Sequence, residues 1–199
     1  MDDLNELPLA QLWAMLDGVD GVDRAEVLEA ISSRLYQQED WQQALSLCEA
    51  AAQCYLENGA DRPAAYALFN QAQCLLQMLR TDEAVTTYDR AADILRTAGD
   101  ESDIGECLNR SGHALVRAGR DEEVIPRFTS AQRLFAANGQ HERAGRDAIA
   151  RGEALGRLGI LPDALESFRE ARELFRGQVS PYLVAWADDR AAAALIDLG

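Results

Sequence analysis

Apolar residues recur along this chain at helical spacing. Ala67, Leu68, Cys74, Leu75, Met78 and Leu79 mark one buried face, and Ala84, Val85, Tyr88, Ala91, Ile94 and Leu95 mark a second. Between the two runs, Thr81-Asp82-Glu83 place a hydroxyl and two carboxylates where a helix N-terminus favours them. Gly99 supplies a left-handed residue that closes the second helix, and Asn58-Gly59 and Asn138-Gly139 do the same elsewhere. Ser180-Pro181 reads as a capping hydroxyl followed by proline at the first helical position. The pattern predicts helices over 8–16, 22–37, 41–57, 63–79, 82–97, 102–118, 121–137, 141–158, 162–176 and 181–198.

The pattern itself repeats every forty residues without gaps. One column is small throughout: Ser32, Ala72, Gly112, Gly152 and Ala192. Three others read Ala44, Ala84, Val124, Ala164; Cys48, Tyr88, Phe128, Phe168; and Ala51, Ala91, Ala131, Ala171. Each period is therefore one antiparallel helix pair, and the chain is an array of such pairs. Units fall near 24–63, 64–103, 104–143 and 144–183, with a partial unit over 184–199. Arg34 and Gln38 begin columns that continue Cys74, Ala114, Ala154 and Met78, Ala118, Leu158, so no earlier unit covers this end. Residues 1–21, with Leu9, Leu12, Trp13 and Leu16, read as a short capping helix and linker before the array at 22–199. Gly199 falls one helix short of a full pair, so the last helix is either itself a cap or the edge of a longer protein, and we expect the second. Three glycines, Gly145, Gly152 and Gly156, together with Asp147 and Arg151, mark the first helix of the fourth unit as the least stable.

The small residue of the first helix and the Ala-x-x-x-aromatic-x-x-Ala set of the second, as in Ala84-Tyr88-Ala91 and Ala164-Phe168-Ala171, resemble tetratricopeptide repeats. The resemblance covers 24–199, at a period longer than usual, as in the kinesin-light-chain-like branch and some bacterial regulators. It implies an all-α, right-handed superhelix of four helix pairs plus a terminal helix. It further implies a concave groove, lined by the first helices, that takes an extended or helical peptide.

Charge narrows the partner. The formal net charge is −15, every one of the nineteen cations is Arg, and there is no Lys. Such a surface repels phosphate backbones and anionic lipid, which argues against nucleic acid and membranes as partners. The absence of Lys excludes lysine-based catalysis and Walker-type phosphate binding, and it departs from the Lys-bearing carboxylate clamp that some of these arrays use for chaperone tails. Cys48, Cys54, Cys74 and Cys107 lie within helical patterns and lack zinc spacing. Unpaired thiols and an acidic start suit a reducing cytoplasm, with a regulatory disulfide as the alternative.

Little else suggests chemistry. His113 and His141 have no metal-ligand spacing, and Asp17, Asp20 and Asp23 lack the alternation of a calcium loop. Adjacent acids such as Glu122 and Glu123 diverge on a helix. We expect no cofactor, no metal and no catalysis. The inner face is the candidate site: Tyr66, Phe69, Asn70, Gln73 and Gln77 in the second unit, Glu106, Asn109, Arg110, His113 and Arg117 in the third, and Arg146, Ile149, Glu153 and Arg157 in the fourth. Residues 1–100 hold six Arg against eighteen acids, whereas the remainder holds thirteen against sixteen. The Arg row with Asn beside it can fork onto carboxylates. The expected partner is thus a protein or peptide, acidic or carboxylate-bearing, bound by a non-catalytic scaffold. The alternatives are a sensor domain of a longer bacterial protein and, more remotely, an enzyme on an α-solenoid. Ala191, Ala192, Leu195 and Ile196 form an apolar strip on the last helix, a route to self-association.

The register predicts that Ala164→Asp, which would bury an unpaired charge, costs a few kcal/mol. A thermal melt within a degree or two of wild type would show the register to be wrong.

Overall fold

The computed structural model describes residue 4 and residues 6–176 and 181–197. The fold is all-α, with no strand among the described residues. The helices are α1 (Leu9–Met15), α2 (Gly21–Gln37), α3 (Trp41–Glu57), α4 (Asp61–Gln77), α5 (Thr81–Ala98), α6 (Glu101–Arg117), α7 (Asp121–Ala137), α8 (His141–Arg157), α9 (Leu161–Arg176) and α10 (Pro181–Asp197), with a 3-10 turn over Leu16–Gly18. The predicted boundaries lie within two residues of these. The Ser180 cap falls outside the described residues, as do Gly199 and the acidic first three residues. The chain divides into two bodies, Met1–Gly99 and Asp100–Gly199. In the first, α2 to α5 pack consecutively with α1 against α2, and in the second α6 to α10 pack consecutively.

The seven connections from α2 to α9 use one turn. Residues 39, 59, 79, 99, 119, 139 and 159 all take left-handed backbone, so the turn recurs every twenty residues, half the sequence period. The next residue but one starts the following helix. At six of these turns the N–H just after the left-handed residue reaches back five positions, as in Arg80 N–H to Leu75 O at 2.9 Å and Ile160 N–H to Leu155 O at 2.9 Å. This is the closing bond of a Schellman turn, and it satisfies carbonyls the helix leaves open. Five of the seven positions are glycine; Glu39 (φ 64°) and Leu79 (φ 60°) are not. Leu79, placed on a buried helical face by its spacing, is instead in this turn and 79% exposed. Thr81 likewise sits inside α5 and not at its cap. The cap position is Arg80, which makes no side-chain capping bond.

Between helices of a pair, small meets large. A Cβ added at Gly112 would lie 3.1 Å from the Phe128 ring, and one at Gly152 only 2.5 Å from that of Phe168. A second small column, Ala25, Ala65, Gly105, Gly145, does the same in the second body, where Gly105 and Gly145 face Phe135 and Phe175 and a Cβ at Gly105 would meet the Phe135 ring at 2.8 Å. Two of the three glycines in α8 are therefore required by packing, whereas nothing lies within 4 Å of a Cβ at Gly156. Arg151, the other suspect residue there, is fully engaged: it donates to Gln132 Oε1 (2.7 Å), Ser167 Oγ (3.0 Å) and Glu170 Oε2 (2.6 Å), joining α7, α8 and α9. Against the cost of burying it, Gln132 and Arg151 hold the Glu170 carboxyl below its usual range.

At the N-terminal end, Leu12 and Leu16 of the capping segment are buried and Arg24 donates to Leu16 O at 2.7 Å. At the other end, Ala194 is buried, Ala191 is half-buried against the core, and Ala192, Leu195 and Ile196 are exposed.

Leu79→Gly should raise stability by about 1 kcal/mol, since glycine adopts the left-handed turn without Cβ strain. Gly152→Ala should lower it, because its Cβ drives into Phe168. Denaturant titration that orders the two variants the other way would refute this account of the pair.

Candidate functional site

The first helices α2, α4, α6 and α8 carry the predicted site residues, and each body presents its own set. In the first body the predicted site residues are all uncharged, and the carboxylate beside them comes from α2. Glu29 on α2 accepts from Tyr55 Oη at 3.0 Å and from Asn70 Nδ2 at 3.3 Å, so Asn70 bridges α4 to α2. Burial pushes the Glu29 carboxyl up against these two hydrogen bonds, with Glu26 adding repulsion. Gln77 Nε2 donates to Tyr36 Oη at 2.9 Å, a second bridge between the same helices. Gln73 lines a cavity with Asn70. Phe69 packs edge-on against Tyr88 at 5.2 Å, and Arg62 lies over the exposed Tyr66 ring at 5.7 Å. Asn70, Gln73 and Gln77 thus form one amide-bearing strip, while Phe69 is committed to packing.

In the second body the arginines have resident partners. Glu106 accepts from Arg110 Nε at 2.7 Å and also pairs with Arg143 across to α8. Arg146 pairs with Glu142 one turn away at 2.9 Å. Arg157 forks onto Asp121 of α7, with its closest contact at 2.6 Å, and this pairing holds the Asp121 carboxyl below its usual range. Arg110, Arg146 and Arg157 remain about half exposed, at 54%, 53% and 45% of their side-chain surface. Arg117, also exposed, has no ion pair among the described residues. The His113 ring meets Phe128 edge-on at 5.0 Å, and lost hydration together with Arg110 lowers its pKa. Ile149 is a correction: expected on the inner face, it is 1% exposed and part of the core.

Asn109 does not face open solvent alone. Its Nδ2 donates to Asp147 Oδ1 at 2.5 Å, and Asp147 is 1% exposed with Oδ2 unpaired. Burial pushes this carboxyl up to about 7, against the Asn109 hydrogen bond and the nearby Arg143. Glu29 and Tyr36 were missed as site residues. Glu29 shares a column with Phe69, Asn109 and Ile149, so a polar residue at that register was the available signal. Among the described residues no group of three or more His, Cys, Asp and Glu could hold a metal ion, and no helix is long and apolar enough to cross a membrane.

Residues 23–97 match the model of the tetratricopeptide repeat family, and the helix pairs form an array of that type. No curated protein matches this sequence. Solved structures do match in fold. Aspartyl phosphate phosphatase F from Bacillus subtilis is 15% identical with a TM-score of 0.76, over 94% of this chain and 49% of that one. A putative kinesin light chain with nearly identical TPR-like repeats from Podospora anserina is 12% identical with a TM-score of 0.68, over 88% of this chain and 87% of that one. A signal-transduction ATPase with a tetratricopeptide repeat sensor, from Pyrococcus horikoshii, is 17% identical with a TM-score of 0.69, over 94% of this chain and 28% of that one. At these identities the likeness establishes the fold.

The Asp147 environment has a pH consequence. The folded pKa lies above the unfolded one, so the carboxyl's contribution is fully present below about pH 4. It is lost as pH rises towards 7, where the folded carboxyl ionises without a partner for Oδ2. Asp147→Asn should be neutral to folding near pH 4 and stabilising at pH 8. Parallel melts across that range that track wild type throughout would contradict it.

Proposed function

We propose that this chain is a non-catalytic scaffold that holds a peptide or protein segment against the exposed face of its first helices. The observation that carries this reading is the repeated strip at i, i+3 and i+7: Asn70, Gln73, Gln77 on α4 and Arg110, His113, Arg117 on α6, occupying the same columns. Gln77, Arg110, His113 and Arg117 are exposed and Asn70 and Gln73 half-buried, so this face is less constrained by packing than the opposite one. Amides on α4 suit a peptide backbone, and arginines on α6 and α8 suit carboxylates. An incoming carboxylate exchanges with Glu142 or Glu106 at Arg146 and Arg110, and meets Arg117 without such competition. The acidic surroundings repel anions at long range, and salt screens that repulsion as well as the local attraction. Affinity should therefore depend on salt less steeply than at an ordinary basic site. The exposed strip Ala192, Leu195 and Ile196 on α10 is a second surface of this reading, open to another copy of the chain.

The sensor reading draws on the Pyrococcus protein, in which a tetratricopeptide repeat array is the sensor of a larger ATPase. A sensor would capture its ligand in the same way and would differ in relaying that capture to a further domain.

The test is selection of peptides from a displayed random library on the immobilised chain, with calorimetry of the winners. Reversing Arg110 and Arg146 together to Glu should weaken acidic winners by at least about tenfold, the loss of one or two charge-assisted contacts, while far-UV circular dichroism stays unchanged. Winners that bind the double variant at wild-type strength would place the contact elsewhere.

A further inference from the structure

The first helix pair breaks the size rule that the other three obey. Where Tyr88, Phe128 and Phe168 face Ala72, Gly112 and Gly152, the first pair sets Cys48 against Ser32. The exchange of a ring for a thiol leaves space. A cavity of about 130 Å³ lies there, with Cys48 and Cys74 in its lining and Ser32, Ser33, Asn70 and Gln73 around them. Its polar wall is the same amide strip of α4 that faces outward, and it can admit a water-sized molecule.

Both thiols line this one cavity. Cys48 on α3 and Cys74 on α4 are 2% and 1% exposed. The neighbouring Cys74 side chain, against burial and with Ser32 beside it, pulls the Cys48 thiol down, and the Cys48 side chain, with burial, pushes Cys74 up. Cys48 is thus the readier of the two to lose its proton. The other two cysteines lie elsewhere. Cys54 donates its thiol proton to Gly21 O at 3.0 Å, and Cys107 lies in the other body.

We propose that Cys48 and Cys74 are an oxidation site that reduces a small hydroperoxide entering this cavity and closes as a disulfide between α3 and α4. The Cys48 sulfur gives up its proton to solvent and attacks the terminal oxygen of the hydroperoxide, the O–O bond breaks, and the alcohol or water leaves after taking a proton back from solvent. Cys48 is then a sulfenic acid. The Cys74 sulfur attacks the Cys48 sulfur, the S–O bond breaks, and the hydroxyl departs as water with the Cys74 proton. Two thiols and one hydroperoxide give one disulfide, one alcohol (or water) and one water, with two electrons passed to the oxidant. The bond joins two cysteines that line one cavity between packed neighbours, α3 and α4. Because it does not involve the arginine strip of the second body, the site stands or falls independently of the scaffold reading.

The test treats the reduced full chain with hydrogen peroxide, quenches it, unfolds it in the presence of an alkylating reagent, and maps the peptides by mass. The expected product has lost two hydrogens, carries a Cys48–Cys74 linked peptide, and has Cys54 and Cys107 fully alkylated. In Cys74→Ser, dimedone should trap a sulfenic acid at Cys48, whereas in Cys48→Ser Cys74 should stay unlabelled. Should either variant fail to fold, wild type alone decides: Cys48 should lose alkylation at least about tenfold faster than Cys107, the buried thiol of the other body. Cys54 or Cys107 oxidising as fast as Cys48, or a linked peptide that never forms, would overturn the proposal.

Discussion

The close approach of two helices within each pair is the constraint on which the rest depends. Helices can only come this near where one surrenders side-chain volume and the other fills it, because protein interiors are packed to crystal density. Gly112 under Phe128 and Gly152 under Phe168 do this near the middle of a pair, and Gly105 under Phe135 and Gly145 under Phe175 do it near the end. Two contacts along one interface fix both separation and rotation. With rotation fixed, each first helix has a defined opposite face, and Asn70, Arg110 and their neighbours can vary there without disturbing the core. The same constraint explains the cavity beside Cys48, because removing the ring while keeping the helix spacing leaves room.

The turns supply the second requirement. From α2 to α9 a left-handed residue every twenty positions, closed at six of the seven turns by a five-residue return bond, ends the helix at an equivalent place and starts the next in register. Glu39 and Leu79 adopt this backbone despite their side chains, so the turn is imposed by the helices on either side as well as by local preference. Packing and turn geometry agree at every pair, and such agreement across levels is what lets a repeat tolerate odd residues. Arg151 shows how far that tolerance extends: a guanidinium in a core column is accommodated because α7 and α9 offer it three acceptors.

Most of the fold was legible because repetition amplifies weak signals. Four copies of a small column, three of them set against a ring, could hardly be misread, and the helix boundaries came with them. What stayed hidden was relational. Leu79 fits a helical face by spacing alone, and only the turn in which it sits decides otherwise. The second small column, ending in Gly105 and Gly145, pairs with rings thirty residues away, and looking within one unit for near neighbours does not reveal it. Ile149 shares a column with Asn109 and Glu29, so register suggested an inner-face position, but an apolar side chain there turns into the core. The ion pairs were the largest omission: Asp121 and Glu106 come from positions whose closeness to Arg157 and Arg143 exists only in three dimensions.

Those ion pairs change what the arginine row can be. On a chain of net charge −15, an unpaired cationic strip would be a long-range attractor embedded in a repulsive field. With Glu106, Glu142 and Asp121 already seated, the strip has little field of its own and acts only at contact. A partner gains from it by replacing a resident carboxylate with one in better geometry, so the net gain per contact is a difference between two similar interactions. Discrimination then rests on fit along each helix, where the amides of α4 and, in the other body, the half-exposed guanidiniums of α6 and α8 each keep their own spacing. Selectivity by spacing, with weak electrostatic steering, is what a packed array of rigid helix pairs is suited to provide.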